Sequence, residues 1–333
     1  MNHITHIQDN KEHLDARFEI IKKVREFFWS EKFIEVETPN ILRLPGQEPY
    51  LNPINLLVRD EMNNEHTAYL HTSPEYTMKK MIASGYKNIF SVCKCYRDCE
   101  SFGGHHNPEF TMIEWYRTGV NMNKIMEDIE DLFDFLAGNI NLQKFQISNF
   151  KFQKISMRKL WLDELRVNLD EHLDQTSMLR LCKEKGYSPD DTEPYEDLFF
   201  RIFLNDIEPK IKGRNLIIHQ YPAQMAALAK LSNEDERYAE RFEVYVDGIE
   251  IANAFTELTD ADEQRKRLEE EQERRKKLGK DIFGIDEEFL RAVGQLPSCA
   301  GIALGIDRLV MALTGCQNIN DVLVLPANKL FGT

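Results

Sequence analysis

Leu14, Phe18, Ile21, Val24 and Phe28 recur at steps of four, three, three and four residues, the period of a helix with one buried face. A helix over 14–30 is predicted. Phe33–Glu37 then alternates into Thr38-Pro39, and proline pushes its predecessor out of the helical region, so a short strand should end there. A second helix over 72–83 opens at Ser73-Pro74-Glu75, where proline and an early acid suit a helix start. Alternation predicts strands over 89–97 and 110–117, joined as a long hairpin by a loop containing glycine and histidine. An acidic helix follows over 122–136, and residues 140–215 mix helical segments with turn signals such as Ser188-Pro189-Asp190-Asp191. Strand character resumes over 216–220 and 241–246, and Asp247-Gly248 is a two-residue hairpin signal leading into 249–253. The charged run Asp260–Lys280 predicts a solvated helix laced with pairs three and four residues apart, not a nucleic-acid surface. Gly301–Leu313 reads as a strand, a glycine turn and a helix start.

No internal repeat, low-complexity linker or composition break divides the chain, so 333 residues are expected to form one catalytic-sized domain, 1–333, with a helical middle region over 140–215. The most apolar stretch, Gly301–Leu313, is interrupted by Asp307 and Arg308, and a bilayer span needs about 20 uninterrupted apolar residues. With no hydrophobic signal region in Met1–Lys11, a cytoplasmic protein making no membrane contact is expected. Six cysteines in a chain of this size do not resemble a secreted disulfide framework, so the thiols are expected to be reduced. A net charge of −14 works against extensive tRNA binding, which draws on Lys and Arg neutralising phosphates.

A two-residue turn at Asp247-Gly248 would pair Val246 with Ile249, Tyr245 with Glu250, Val244 with Ile251, and Glu243 with Ala252. Phe242, Val244, Val246, Ile249 and Ile251 then share one face, and Glu243, Tyr245 and Glu250 the other. Two carboxylates converging over roughly 7–8 Å suit one hard cation and its phosphate ligands, although acids on a half-solvated sheet also simply face water. Glu257 adds a third acid near the same strand end. On the strand after the histidine loop, Phe110, Met112, Glu114 and Tyr116 share a face, which could stack a flat ring and surround an ammonium group. Cys93, Cys95 and Arg97 share a face of the preceding strand, bringing Arg97 toward the same place. Cys93, Cys95, Cys99, His105 and His106 are zinc-ligand types, but they lack the C-x-x-C knuckle spacing and read better as small thiols. The segment Ala300-Gly301-Ile302-Ala303-Leu304-Gly305-Ile306-Asp307-Arg308 allows close approach of a ligand and aims an arginine from a helix start at a phosphate. Neither a P-loop nor a G-x-G-x-x-G motif is present.

Three separated motifs, in order, resemble class II aminoacyl-tRNA synthetases of the lysyl subgroup over about Leu14–Pro326. Phe33-Ile34-Glu35-Val36-Glu37-Thr38-Pro39 is similar to motif 1, Tyr96-Arg97-Asp98 with His106–Glu114 to motif 2, and Gly305-Ile306-Asp307-Arg308-Leu309 to motif 3. Thr72-Ser73-Pro74-Glu75 matches as well. The resemblance implies an α+β catalytic domain, an antiparallel sheet flanked by helices, that dimerises through the first helix and strand and uses ATP with Mg2+. It implies an ATP site of Arg97, Asp98, Cys99, Asn107, Phe110, Glu250, Ile251, Gly305 and Arg308, with Arg97 on the α-phosphate and Arg308 on the γ-phosphate as catalytic residues. Glu243 and Glu250 would hold magnesium, and Ser73, Pro74, Glu75, Glu114, Tyr116, Asn253, Glu257 and Ala303 would surround a lysine-like substrate. Asn253 falls on the wrong face of the strict hairpin register, so a bulge must turn it. The family usually has Asn-Glu after the motif 2 arginine, whereas Asp98-Cys99-Glu100 stands here, leaving Cys99 and Glu100 as alternatives for that contact.

Full lysyl enzymes of the family carry an anticodon-binding barrel before this domain, and the few residues ahead of the first helix here cannot build one. The chain therefore resembles a stand-alone bacterial paralogue whose acceptor is a lysine of elongation factor P and whose substrate is lysine or (R)-β-lysine. Glu114-Trp115-Tyr116-Arg117 is similar to that paralogue, and Ala303 stands where lysyl enzymes usually have glycine. One methyl group is worth ~1–3 kcal/mol in a pocket, enough to favour a β- over an α-amino acid. The alternatives are the same chemistry charging tRNA or a small molecule, and a non-catalytic binding paralogue. The latter is expected to lose motif arginines or metal acids, and Arg97, Arg308, Glu243 and Glu250 are all present.

Overall fold

A computed structural model gives the fold and describes residues 2–140 and 150–332. Its strands are β1 (Ile34–Glu35), β2 (Ile41–Leu42), β3 (Asn55–Arg59), β4 (Glu65–Leu70), β5 (Ile89–Tyr96) and β6 (Glu109–Thr118). After the helix Met122–Asn139 come β7 (Gln153–Ser156), β8 (Asn215–Pro222), β9 (Tyr238–Val246), β10 (Ile249–Thr256) and β11 (Cys299–Gly305). An eight-stranded sheet runs β1-β5-β6-β11-β10-β9-β8-β7, and β2-β4-β3 form a small second sheet. In the large sheet β1 pairs parallel with β5 and β7 parallel with β8, while every other pairing is antiparallel. The expected α+β architecture is present.

Strand alternation divides the large sheet into two chemically distinct faces. One carries Phe90, Ile113, Trp115, Phe242, Val244, Ala254, Ile302 and Leu304, all buried against the helices Lys11–Ser30, Met122–Asn139 and Ile306–Thr314. The other carries Met112, Glu114 and Tyr116 of β6 beside Gly305, Ala303 and Gly301 of β11. Burial of the first face fixes the register, because a one-residue slip would exchange the two faces.

The helix Lys11–Ser30, which follows a short helix His3–Asp9, buries Leu14, Arg17, Ile20, Val24, Phe27 and Phe28. This corrects the expected stripe: Phe18 is 55% exposed, and Ile20 and Phe27 take core positions. Regular strand is confined to Ile34–Glu35 of the predicted 33–37 segment. The middle region is helical, with Met157–Leu165, Gln175–Glu184 and Tyr195–Ile202 packing around Trp161, Phe199 and Phe203; residues 141–149 of that expectation lie outside the described residues. The charged segment forms the helix Ala261–Lys277, yet it is not simply solvated. Leu268 and Arg275 are buried, and Arg275 donates to the backbone oxygens of Glu48 and Leu51, so this helix covers one wall of the site. Among the described residues no helix is long and apolar enough to cross a membrane.

Candidate functional site

A cavity of about 420 Å³ lies over the polar face of the large sheet. Of the residues expected there, Ser73, Glu75, Arg97, Asn107, Phe110, Glu250, Ile251, Asn253, Ala303, Gly305 and Arg308 line it. Glu114, Tyr116, Glu257 and Glu243 are buried immediately beneath, whereas Pro74, Asp98 and Cys99 are not among its lining residues. Pro74 acts as the cap of the helix Glu75–Ala83, and Cys99 is exposed.

At one end the floor is acidic. The Tyr116 hydroxyl donates to Glu114 Oε1 at 2.6 Å, and the Ser73 hydroxyl donates to Glu114 Oε2 at 2.7 Å. Burial, then the negative charge of Glu75, pushes the Glu114 carboxyl well above the usual range. Lys79, one helical turn after Glu75, lies 2.5 Å from both Glu75 Oε1 and Glu257 Oε2, with its ammonium 5.2 Å from the Phe255 ring centre. Burial alone would depress Lys79, but Glu257 and Glu75 more than offset it and hold the amine above its ordinary value. Glu257 is 2% exposed, and apart from the ion pair with Lys79 its oxygens have no hydrogen-bond partner among the described residues. Burial pushes its carboxyl up to about 8, against the attraction of Lys79. Gly301 is required here, because a methyl in its place would collide with the Tyr116 ring and Glu257. Two buried carboxyl groups, Glu114 and Glu257, and the half-buried Glu75 thus face one buried ammonium, leaving room electrostatically for further cations.

The other end is basic and borne largely by loops. The Arg97 guanidinium stacks on Phe110, 4.9 Å from the ring centre, and its Nε is buried without a partner. Arg308, at the start of the helix Ile306–Thr314, donates to the Glu250 backbone oxygen at 2.8 Å and the His105 oxygen at 3.3 Å. Its predecessor Asp307 is buried, ion-paired with Arg17, and accepts the Thr111 amide at 2.7 Å, which pins this helix start to β6. Asn107 lines the cavity, but its side chain is committed to the Glu109 oxygen (2.5 Å) and the Ala327 amide (2.9 Å), so it shapes the loop. Glu100, rather than Cys99, faces the cavity, pairing with His106 Nδ1 at 2.9 Å. That contact holds the Glu100 carboxyl below its ordinary value.

Between the two ends, β9 and β10 depart from the strict hairpin register. Val246 faces Ile249 and Tyr245 faces Glu250 as expected, but a bulge between Glu250 and Ala252 pairs Val244 with Ala252 and Glu243 with Asn253. Ile251 is the additional residue. The expected Val244–Ile251 and Glu243–Ala252 pairs are therefore corrected by one position, and Asn253 turns onto the cavity face. Glu243 arrives already partnered: Tyr221 and Tyr245 hydroxyls donate to Oε2 at 2.6 and 2.8 Å, and Arg241 to Oε1 at 2.6 Å. Burial, then the charge of Glu250, raises its carboxyl above the ordinary range.

Two site residues were missed in the sequence. Lys79 carried a readable signal, an acid and a base four residues apart on one predicted helix. Arg241, which also donates to Asn253 Oδ1 at 3.0 Å, shares a strand face with Glu243 by alternation. The walls formed by 48–51, 224–229, Glu271 and Arg274 carried none.

The geometry can be set beside known proteins. Residues 3–329 match the family described as tRNA synthetases class II (D, K and N). Elongation factor P–(R)-β-lysine ligase of Pectobacterium carotovorum is 38% identical over 322 residues, 94% of each chain. The protein of that name from Avibacterium paragallinarum is 37% identical, covering 92% of this chain and 93% of its own, and that from Haemophilus influenzae is 36% identical, covering 97% of each. The chain belongs to the class II (D, K and N) tRNA synthetase family, alongside the elongation factor P–(R)-β-lysine ligases.

Proposed function

We propose that this protein activates (R)-β-lysine with ATP and transfers it to a lysine side chain of elongation factor P in the cytoplasm. The observation that carries the substrate reading is that Glu257 and Glu75 share Lys79 as their ion-pair partner, with Glu114 held nearby by the Tyr116 and Ser73 hydroxyls. Acids that outnumber their basic partner in a buried site call for further cations, and a diamino acid brings two. Relatives carrying the ligase name support the choice of β-lysine and of acceptor.

In this reading the amino acid lies over Ala303 and Asn253, its amines toward Glu75, Glu114 and Glu257, and its carboxylate toward Arg97. Phe110 stacks the adenine, and Arg308 reaches the terminal phosphates. The substrate carboxylate attacks the α-phosphate, the bond to pyrophosphate breaks, and Arg97 and Arg308 stabilise the charge that develops. The acceptor ε-amine, after losing a proton, attacks the activated carbonyl, forming an amide and releasing AMP. Glu243 and Glu250 offer an oxygen-only donor set that fits a hard divalent cation, and Mg2+ held there would neutralise phosphate charge. A homodimer is part of the proposal: Phe18, Trp29, Ile34 and Ile41 are exposed apolar side chains on the helix Lys11–Ser30 and the strands after it.

Labelled (R)-β-lysine or L-lysine, ATP and magnesium, offered with elongation factor P and tRNA in parallel, test the proposal. Label on elongation factor P, preferentially from β-lysine, is expected; label on tRNA alone would overturn it.

A further inference from the structure

His71, Cys93 and Cys95 form a cluster that the reaction above does not use. Among the described residues they are the group whose ligand atoms come together as a metal site requires, all within 4.8 Å of one another. Cys93 and Cys95 alternate onto one face of β5, with their sulfurs 4.0 Å apart. Tetrahedral zinc, with Zn–S bonds of roughly 2.3 Å, holds two sulfurs about 3.8 Å apart, so the thiols need almost no movement.

His71 is already oriented for the same task. Its ring is buried, and Nε2 lies 2.5 Å from the Lys94 backbone oxygen, which makes Nε2 the protonated nitrogen and leaves the Nδ1 lone pair free. Nδ1 is buried and has no hydrogen-bond partner. Metal-binding histidines characteristically donate their other N–H to a carbonyl or carboxylate in this way. The backbone cannot easily swing the ring elsewhere, because the His71 amide bonds to the Asn40 oxygen at 2.9 Å and its oxygen accepts the Tyr96 amide at 3.1 Å.

We propose that His71 Nδ1 and the Cys93 and Cys95 thiolates bind one thiophilic d10 metal ion, Zn2+ or a similar soft cation, at a site separate from the Glu243–Glu250 pair. Each thiol releases its proton to solvent on binding, and the fourth position is left for water. Oxygen-rich Glu243 and Glu250 favour hard cations, whereas sulfur and imidazole favour zinc, so the two sites differ in metal class. Cys93 is half-buried and provides the approach. The site lies beside the amino-acid pocket: Cys93 pairs across the sheet with Met112, and His71 is two residues before Ser73.

The full chain, kept reduced with a phosphine and stripped with a chelator, should be titrated with Co2+ and then Zn2+. One equivalent of Co2+ should give thiolate-to-cobalt charge-transfer absorption and tetrahedral d–d bands, both erased by Zn2+. Cys93→Ser and Cys95→Ser should each remove the charge-transfer pattern of a two-sulfur site, His71→Gln should weaken binding, and Cys99→Ser should change nothing. Absence of the bands in the unaltered protein, their persistence in both cysteine variants, or their loss in Cys99→Ser would overturn the assignment. Because substitutions in the sheet can unfold the chain, iodoacetamide labelling of the unaltered protein gives an independent reading. Zn2+ should protect Cys93 and leave exposed Cys99 reactive; equal labelling of Cys93 with and without Zn2+ contradicts the site.

Discussion

The two ends of the cavity are built on opposite principles. The acidic end lies in the sheet itself: Glu114 and Tyr116 on β6, Glu257 just beyond β10, and Glu75 with Lys79 on the helix packed above. Its acids are packed in place and outnumber the one lysine, and burial holds Glu114 and Glu257 toward their neutral forms until a cation arrives. The basic end is made of a loop and a helix start, and its arginines rest on a ring and on carbonyl oxygens. Rigid buried groups discriminate between ligands because a missing partner leaves a charge desolvated, whereas solvent-accessible groups can re-pair with water. In the proposed reading, selectivity for the amino acid therefore belongs to the sheet, and accommodation of the nucleotide to the loop.

The sharpest way to break this comparison is Glu257→Gln. Removing one member of a buried charge cluster costs about 3–5 kcal/mol, so amino-acid-dependent pyrophosphate exchange should fall by about two to four orders of magnitude while ATP affinity, read by nucleotide binding, stays near normal. Arg97→Ala should strike the other end: loss of a transition-state charge stabiliser costs roughly 2.7–4 kcal/mol. That loss should appear in the rate of adenylate formation in single turnover, with β-lysine binding largely preserved. Near-normal exchange in the Arg97 variant would refute its role.

The pH dependence sharpens the contrast further. Glu257 titrates near 8 rather than at its ordinary 4.5, so the empty pocket favours the neutral acid and a cation favours the ionised one. The KM for the amino acid should fall several-fold from pH 6.5 to 8 as ionisation becomes easier, and this change should be absent in Glu257→Gln. Stability runs the other way. A folded-state carboxyl value raised above the unfolded one contributes stability below the ordinary range, and that contribution is lost as pH rises through about 8. The Tm difference between Glu257→Gln and the unaltered apoprotein should therefore shift in favour of the variant between pH 6 and 8.5. A separate effect is expected of Ala303, paired in the sheet with both Glu114 and Asn253. Ala303→Gly should move the preference between β-lysine and α-lysine by ~1–3 kcal/mol, measured as the ratio of their kcat/KM values.

The same division governed what could be read in the sequence. The floor of the site was legible because strand alternation is strict: Phe110, Met112, Glu114 and Tyr116 could be assigned to one face, and the long β5–β6 hairpin formed over nearly the predicted residues. The hairpin of β9 and β10 was legible up to its bulge, since the inserted residue Ile251 has no signature beyond the awkward position of Asn253. Phe18 was misassigned because helical period alone cannot distinguish a core face from an apolar surface. The 48–51 loop and the covering helix Ala261–Lys277 were not legible as parts of the site. Their contribution comes from long-range packing, such as Arg275 on the 48–51 loop, which no local pattern encodes.

The central claim is that the sheet floor holds three acids against one lysine because it receives two ammonium groups. Competition binding of β-lysine against an analogue whose terminal amine is replaced by a methyl group tests it most directly. The account predicts that the unaltered protein prefers the diamine at least a hundredfold and that Glu257→Gln loses most of that preference. Equal binding of the two compounds by the unaltered protein would contradict it.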